Sequence, residues 1–220
     1  MKYKNLLILG ASGSTGRWLV QMALEKGHHV TALVRSKISI EERDGLEIVQ
    51  GDVLDADALD RVMEGKDAVL SGLGIRRESA ADPWSPLVSP VDLTERSAQN
   101  TVNAMKKHGV QRVIGISAAG VGDSKDKVDA DISSLIQNSN IAIAFRDLEN
   151  MEEIYAKSGL DSLVVRPVTL VDGEPNDRAK VVEWYRKSSE ISKSDVAGWM
   201  LDALERPERF ENRSEMIGWS

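Results

Sequence analysis

The stretch ILGASGSTGRWLV, residues 8–20, constrains the fold more than any other part of the chain. Gly10, Gly13 and Gly16 recur every third residue, with Ser12, Ser14 and Thr15 among them. Before them, residues 5–9 read as a short buried strand; after them, residues 17–24 carry apolar side chains at helical spacing. The glycines therefore sit where strand turns into helix. There Gly10 permits a tight turn, Gly13 lets the backbone approach a pyrophosphate, and Gly16 lets helix and strand pack closely. The helix N-terminus offers unpaired N–H groups to the phosphates, and the three hydroxyls add donors. Glycines also occur in loops that merely turn. The order strand, glycines, helix, second strand is what gives the pattern its mechanism.

The rest of the chain continues that alternation. Residues 28–35, rich in β-branched side chains, follow the helix stop Gly27, and a third strand lies near residues 47–50. DADALDRVMEG is a short helix closed by Gly65, and DAVLSGLG a fourth strand ending at Gly72 and Gly74. A helix over 93–107 ends at Gly109, VQRVIGIS is a fifth strand, a helix spans 141–157, and DSLVVRP is a sixth strand stopped by Pro167. Ser192 or Ser194 caps a helix running to Leu204, and SEMIGWS is a terminal strand. Strands that are almost continuously apolar and alternate with helices predict an α/β Rossmann fold: a doubly wound parallel sheet with helices on both faces. Three segments break the rhythm, at 75–92, 118–132 and 171–191. The first two follow the carboxyl ends of strands four and five, where open parallel sheets bind ligands, so these segments are the expected substrate side.

Composition closes several alternatives. At 220 residues and 41% hydrophobic, the chain can bury one substantial core, so residues 1–220 are expected to form a single domain. Lys plus Arg number 28 against 35 for Asp plus Glu; a net charge of −7 without basic clusters argues against nucleic acid. The absence of cysteine removes disulfides, thiolate metal sites and a cysteine nucleophile, and suits a reducing compartment. Of the three histidines, His28 and His29 alternate faces and His108 ends a helix, so no metal site is expected. No apolar run approaches the roughly 18 residues of a membrane span, and the expected location is the cytoplasm. The triplet Asn212-Arg213-Ser214 matches a glycosylation acceptor and carries no weight in a chain with no sign of secretion.

Arg35, at the end of the second strand, bears on the kind of dinucleotide. An acidic residue there would hydrogen-bond a ribose 2′-hydroxyl, whereas an arginine pairs with a 2′-phosphate; NADP(H) is favoured over NAD(H), unless Arg35 is simply solvated. Asp52 and Val53, after strand three, are placed to border the adenine, and Asp52 has the rival role of capping the following helix.

Taken in order, GASGSTGR, ALVRS, GDVLDADAL, SGLG, ISAAG, SGLDSLVVRPVTL and ISKSDVAGWML resemble the atypical short-chain dehydrogenase/reductases of the NmrA-like and biliverdin reductase B-like group, over essentially the whole chain. The resemblance implies a Rossmann domain with a small C-terminal substrate region, NADPH at residues 10–16 and Arg35, and reductase activity. It also implies that Leu73 and Gly74 run along the ribose and nicotinamide, and that Ser117 ends strand five beside the nicotinamide.

One family feature is missing. Short-chain dehydrogenases usually transfer a proton from a tyrosine activated by a lysine four residues later, and the matching positions here are Ala144 and Leu148. Tyr155 is a further catalytic candidate that shares their helix face but lies about 10 Å beyond Leu148, and its rival role, the favoured one, is to pack under the sheet. Asp147 is an acid/base candidate whose rival role is that of a solvated helix residue, and Ser117 could donate a hydrogen bond into the pocket or merely satisfy backbone. Arg76, Arg77 and Trp84 could grip a planar or anionic molecule, opposite a wall of Trp184 and Tyr185. With nothing to protonate an alkoxide, easier acceptors are those that spread charge: a flavin, quinone or enone. The leading expectation is an NADPH-dependent reductase of such a small molecule, as monomer or homodimer. Its rivals are a non-catalytic NADP(H)-binding regulator with a protein partner, as among NmrA-like sensors, and a lyase or isomerase reusing the fold.

Overall fold

Residues 3–36, 40–211 and 213–219 are described by a computed structural model. Asn212 of the glycosylation triplet lies outside them.

The strand β1 (Asn5–Leu9) shows why the sheet must be covered twice. Leu6 and Ile8 belong to one buried cluster and Leu7 and Leu9 to another, and all four are almost fully buried. The first cluster is completed by α1 (Ser14–Glu25) through Leu19, Val20 and Ala23, and by α6 (Lys193–Leu204) through Val196, Met200 and Leu201. The second takes Leu59 and Met63 of α2 (Ala56–Met63), Val102 and Met105 of α3 (Leu93–His108), and Met151 and Tyr155 of α5 (Ile141–Lys157).

The remaining strands are β2 (His29–Val34), β3 (Leu46–Gln50), β4 (Ala68–Ser71), β5 (Arg112–Ile116), β6 (Asp161–Pro167), β7 (Thr169–Val171), β8 (Ala179–Val181), β9 (Glu190–Ser192) and β10 (Ser214–Trp219). Eight of the ten form one sheet in the order β3-β2-β1-β4-β5-β6-β10-β8. Every pairing in it is parallel except that of β8 on β10, and β7 pairs with β9 apart from it. This is a Rossmann-like sheet with helices on both faces.

Local chemistry accounts for the element ends. Asp55 caps α2 by accepting from the Asp57 N–H at 3.0 Å, Ser192 caps α6 from the Asp195 N–H at 3.0 Å, and α3 stops at Gly109, whose φ of 73° is left-handed. Cap duty for α2 thus belongs to Asp55; Asp52 instead accepts from the Leu54 N–H at 2.9 Å in the turn before it. The largest fully buried side chain is Arg112, which donates to Asp161 and to the carbonyls of Leu204, Arg206 and Glu208. It lies against the rings of Tyr3 and Phe210, tying the segment after α6 to the sheet.

Two features differ from the sequence reading. A helix α4 (Ala130–Gln137) begins within the segment expected to be a loop; Ile132, Leu135 and Ile136 stand at helical spacing, but over only eight residues, with none of them buried and no side chain capping the helix. The segment 171–191 holds the short strands β8 and β9, whose three-residue lengths leave no alternation to read.

Candidate cofactor and substrate site

The sheet order reverses between β1 and β4, the point at which open α/β sheets bind ligands beyond their strand ends. Each strand is followed directly by a glycine, Gly10 after β1 and Gly72 after β4. Gly10 has φ 72°, and a Cβ on it would stand 2.8 Å from the carbonyl carbon of Gly72, so the two strand ends touch backbone to backbone. A Cβ on Gly16 would fall 2.0 Å from the Gly10 carbonyl oxygen, which is why α1 starts so close to β1. Gly13 differs: a Cβ there would meet the Gly10 oxygen at 3.1 Å and nothing else within 4 Å, so it would project into open space over the helix end.

That helix end has no answer from its own chain. Gly13 is its N-cap residue, no side chain caps it, and no acidic residue lies in its first turn. Its first N–H groups face the glycine loop, where Ser12, Gly13 and Ser14 are exposed. A cradle that one β-carbon would fill, over a helix terminus without an anion, suits a pyrophosphate. The profile of the NAD(P)H-binding family matches residues 10–207. This chain belongs to that family.

An uncharacterised chloroplast protein of Arabidopsis thaliana is 28% identical over 219 residues, covering 93% of this chain and 73% of that protein. The divinyl chlorophyllide a 8-vinyl-reductase of the same plant is 25% identical over 162 residues, 64% of this chain but only 37% of the reductase. Among solved structures, a short-chain dehydrogenase/reductase of Veillonella parvula in complex with NADP superposes with a TM-score of 0.80 at 18% identity, covering 98% of this chain and 94% of that one. The superposition shows the Rossmann fold, and the resemblance read from the sequence falls within the NAD(P)H-binding family.

Around this cradle, Arg35 is exposed just past β2, where its carbonyl accepts from Gln50 Nε2 at 3.2 Å. Val53 is buried against α3 with its carbonyl toward Asn100, Asp52 is exposed, Leu73 is half-buried and Gly74 exposed. Among the described residues, no three His, Cys, Asp or Glu side chains are placed to hold a metal ion, and no helix is long and apolar enough to cross a membrane.

On the substrate side the candidates separate. Ser117, 7% exposed, follows β5; the register that sets Gly115 beside Ser71 brings it level with Leu73 past the end of β4. Its hydroxyl donates to Glu152 Oε1 at 2.5 Å, so the hydrogen expected to face a substrate is already engaged. Glu152 in turn accepts from Arg166 Nε at 3.0 Å and Nη2 at 2.5 Å, and Arg166 Nη1 reaches Asp123 at 2.5 Å. Burial alone would lower the Arg166 pKa, but Glu152 and then Asp123 hold it above its ordinary value, and the Arg166 hydrogen bond holds Asp123 below its own.

Asp147 is not solvated. It is 2% exposed and accepts from the Thr94 N–H at 2.8 Å, the Thr94 hydroxyl at 2.6 Å and the Glu95 N–H at 2.9 Å, plugging the N-terminus of α3. Tyr155 is 2% exposed in the core, against Gly115; burial raises its pKa well above the usual phenol range despite a hydrogen bond with Ser71. Ala144 and Leu148 are half-buried. The expected aromatic walls serve α4 instead: Trp84 Nε1 donates to the Asn138 carbonyl at 3.1 Å and Trp184 Nε1 to Asp129 at 2.9 Å, one at each end of that helix. Arg77 folds back onto the carbonyls of Ala80 and Asp82, and the Tyr185 hydroxyl meets that of Thr169.

Glu152 and Arg166 escaped the sequence reading although both left a signal. Arg166 is a charge directly after the apolar run Leu163–Val165 of a buried strand, which requires a partner, and Glu152 lies four residues after Leu148 on the same helix face.

Proposed function

We propose that this chain is an NADPH-dependent oxidoreductase that reduces a small conjugated or planar acceptor by direct hydride transfer, without a Tyr-x-x-x-Lys pair. The observation that carries the reading is the open, glycine-built N-terminus of α1 at the switch point, with Ser117 two strands away at the same edge of the sheet. Gly10, Gly13, Gly16 and the hydroxyls of Ser12, Ser14 and Thr15 would hold the pyrophosphate, Arg35 the 2′-phosphate, Asp52 and Val53 the adenine, and Leu73 and Gly74 the ribose and nicotinamide. When bound, NADPH supplies the hydride. The chain's own part is to orient the acceptor at the ends of β4 and β5 and to keep water from it. Tyr155, 2% exposed beneath the sheet with its hydroxyl on Ser71 and its pKa raised by burial, is unsuited to give the proton, and Asp147 is committed to α3. Bound acceptor or water is left to supply it, which favours acceptors that delocalise charge. The vinyl-reductase among the relatives supports a reductase.

The test is NADPH oxidation followed at 340 nm against flavin, quinone and enone acceptors. Turnover of at least one class is expected. Tight NADPH binding with no turnover of any class would sink the oxidoreductase and leave the NADP(H)-binding regulator.

A further inference from the structure

Glu152 lies in neither the dinucleotide cradle nor the reaction just described, yet it is the titratable side chain of α5 that touches Ser117. Its side chain is 11% exposed and that of Arg166 7%. Gly122 closes over the pair: it has φ 58°, and a Cβ there would stand 2.6 Å from Arg166 Nη2 and 3.2 Å from Glu152 Oε2. A carboxylate gripped through both oxygens by a guanidinium is ionised and only accepts hydrogen bonds. A serine hydroxyl has one hydrogen to give. With that hydrogen on Glu152 Oε1, Ser117 Oγ can present only lone pairs to a molecule at the sheet edge.

We propose that Glu152 is a positioning residue that makes Ser117 an obligate hydrogen-bond acceptor, so that the small molecule bound beside it must present an N–H or O–H there. The inference rests on the proposed placement of a planar acceptor at Ser117. It selects among acceptors: an imide or lactam N–H, or a phenolic O–H, satisfies Ser117, whereas a bare carbonyl or N-alkyl group leaves a nearly buried oxygen opposed to another oxygen or to a methyl. It also gives the Ser117–Glu152–Arg166–Asp123 chain a purpose other than stability. Two apolar residues would fill the space between α5 and β6 without burying charge.

The experiment measures the dissociation constants of lumiflavin and 3-methyllumiflavin, which differ in one N–H, by flavin fluorescence on protein saturated with NADP+. Lumiflavin is expected to bind about three- to tenfold more tightly, the range of one net hydrogen bond. In Glu152→Gln the new amide can donate to Ser117 and turn its hydroxyl hydrogen toward the ligand, so the preference should vanish or reverse. Ser117→Ala should also abolish it; a preference that survives there is steric exclusion of the methyl and overturns the proposal. Equal binding of the two flavins by the unmutated protein, or binding of neither, overturns it too, as does an unchanged preference in Glu152→Gln. Should Glu152→Gln not fold, Ser117→Ala decides alone. NADPH oxidation by lumiflavin is measured separately on the unmutated protein: its absence counts against the reductase and leaves the binding preference to be judged by itself.

Discussion

Two helices enter the molecule from neighbouring strands at the switch point, and their N-termini are treated in opposite ways. The N-terminus of α3, which follows β4, is closed by the buried carboxylate of Asp147, which takes two backbone N–H groups and a hydroxyl from Thr94 and Glu95. The N-terminus of α1, which follows β1, receives no side chain and no acidic neighbour, and is built from glycines. Both ends carry the same partial positive charge and the same orphan donors. The chain answers the buried end of α3 itself and leaves the exposed end of α1 open, where an anion fits. The difference separates scaffold from site more sharply than burial or loop length does.

Four perturbations test that contrast. The largest effect is expected from Gly13→Val, which puts a side chain into the open cradle: NADPH binding should weaken by at least about a thousandfold, roughly 4 kcal/mol, while circular dichroism stays native. Retained uptake of NADPH, read by its fluorescence, would mean that the glycines only turn the chain. Next comes Asp147→Ala, which unplugs α3 and leaves buried N–H groups without partners; urea unfolding should show a loss of about 2–3 kcal/mol. NADPH affinity should stay within about twofold, because the two helix ends are independent sites. Arg35→Ala should remove about 1.5 kcal/mol of the preference for NADPH over NADH, roughly tenfold, in calorimetric titrations with both cofactors. Equal affinities in the unmutated protein would end the NADP(H) assignment.

The smallest effect is expected from Tyr155→Phe. A positioned general acid contributes about a hundredfold or more, so a core tyrosine should cost less than tenfold in kcat. A hundredfold loss with unchanged NADPH binding would restore it as the proton donor. The same variant carries a pH signature. Folding raises the Tyr155 pKa, so its contribution to stability is complete below the unfolded phenol value of about 10 and is lost as pH rises through the folded one. Alkaline unfolding above about pH 10 should therefore be shallower in Tyr155→Phe than in the unmutated protein.

Periodicity and glycine spacing determined the parallel core, the passage from β1 into α1, and the bounds of α5 and β6, because these follow from local geometry and from which residues one face must bury. That Ala144 and Leu148 stand where the family's tyrosine and lysine are expected rests on counting back from SGLD within the resemblance, not on periodicity. Only the tertiary structure decided the polar partnerships. Asp147 meets Thr94 across 53 residues, Ser117 meets Glu152 across 35, and Trp84 and Trp184 meet α4 across 54 and 55. A linear pattern records whether a side chain is apolar. It does not record which distant donor will face a carboxylate once helices pack, and that meeting decided whether an acid plugs a helix, orients a serine or remains free for chemistry.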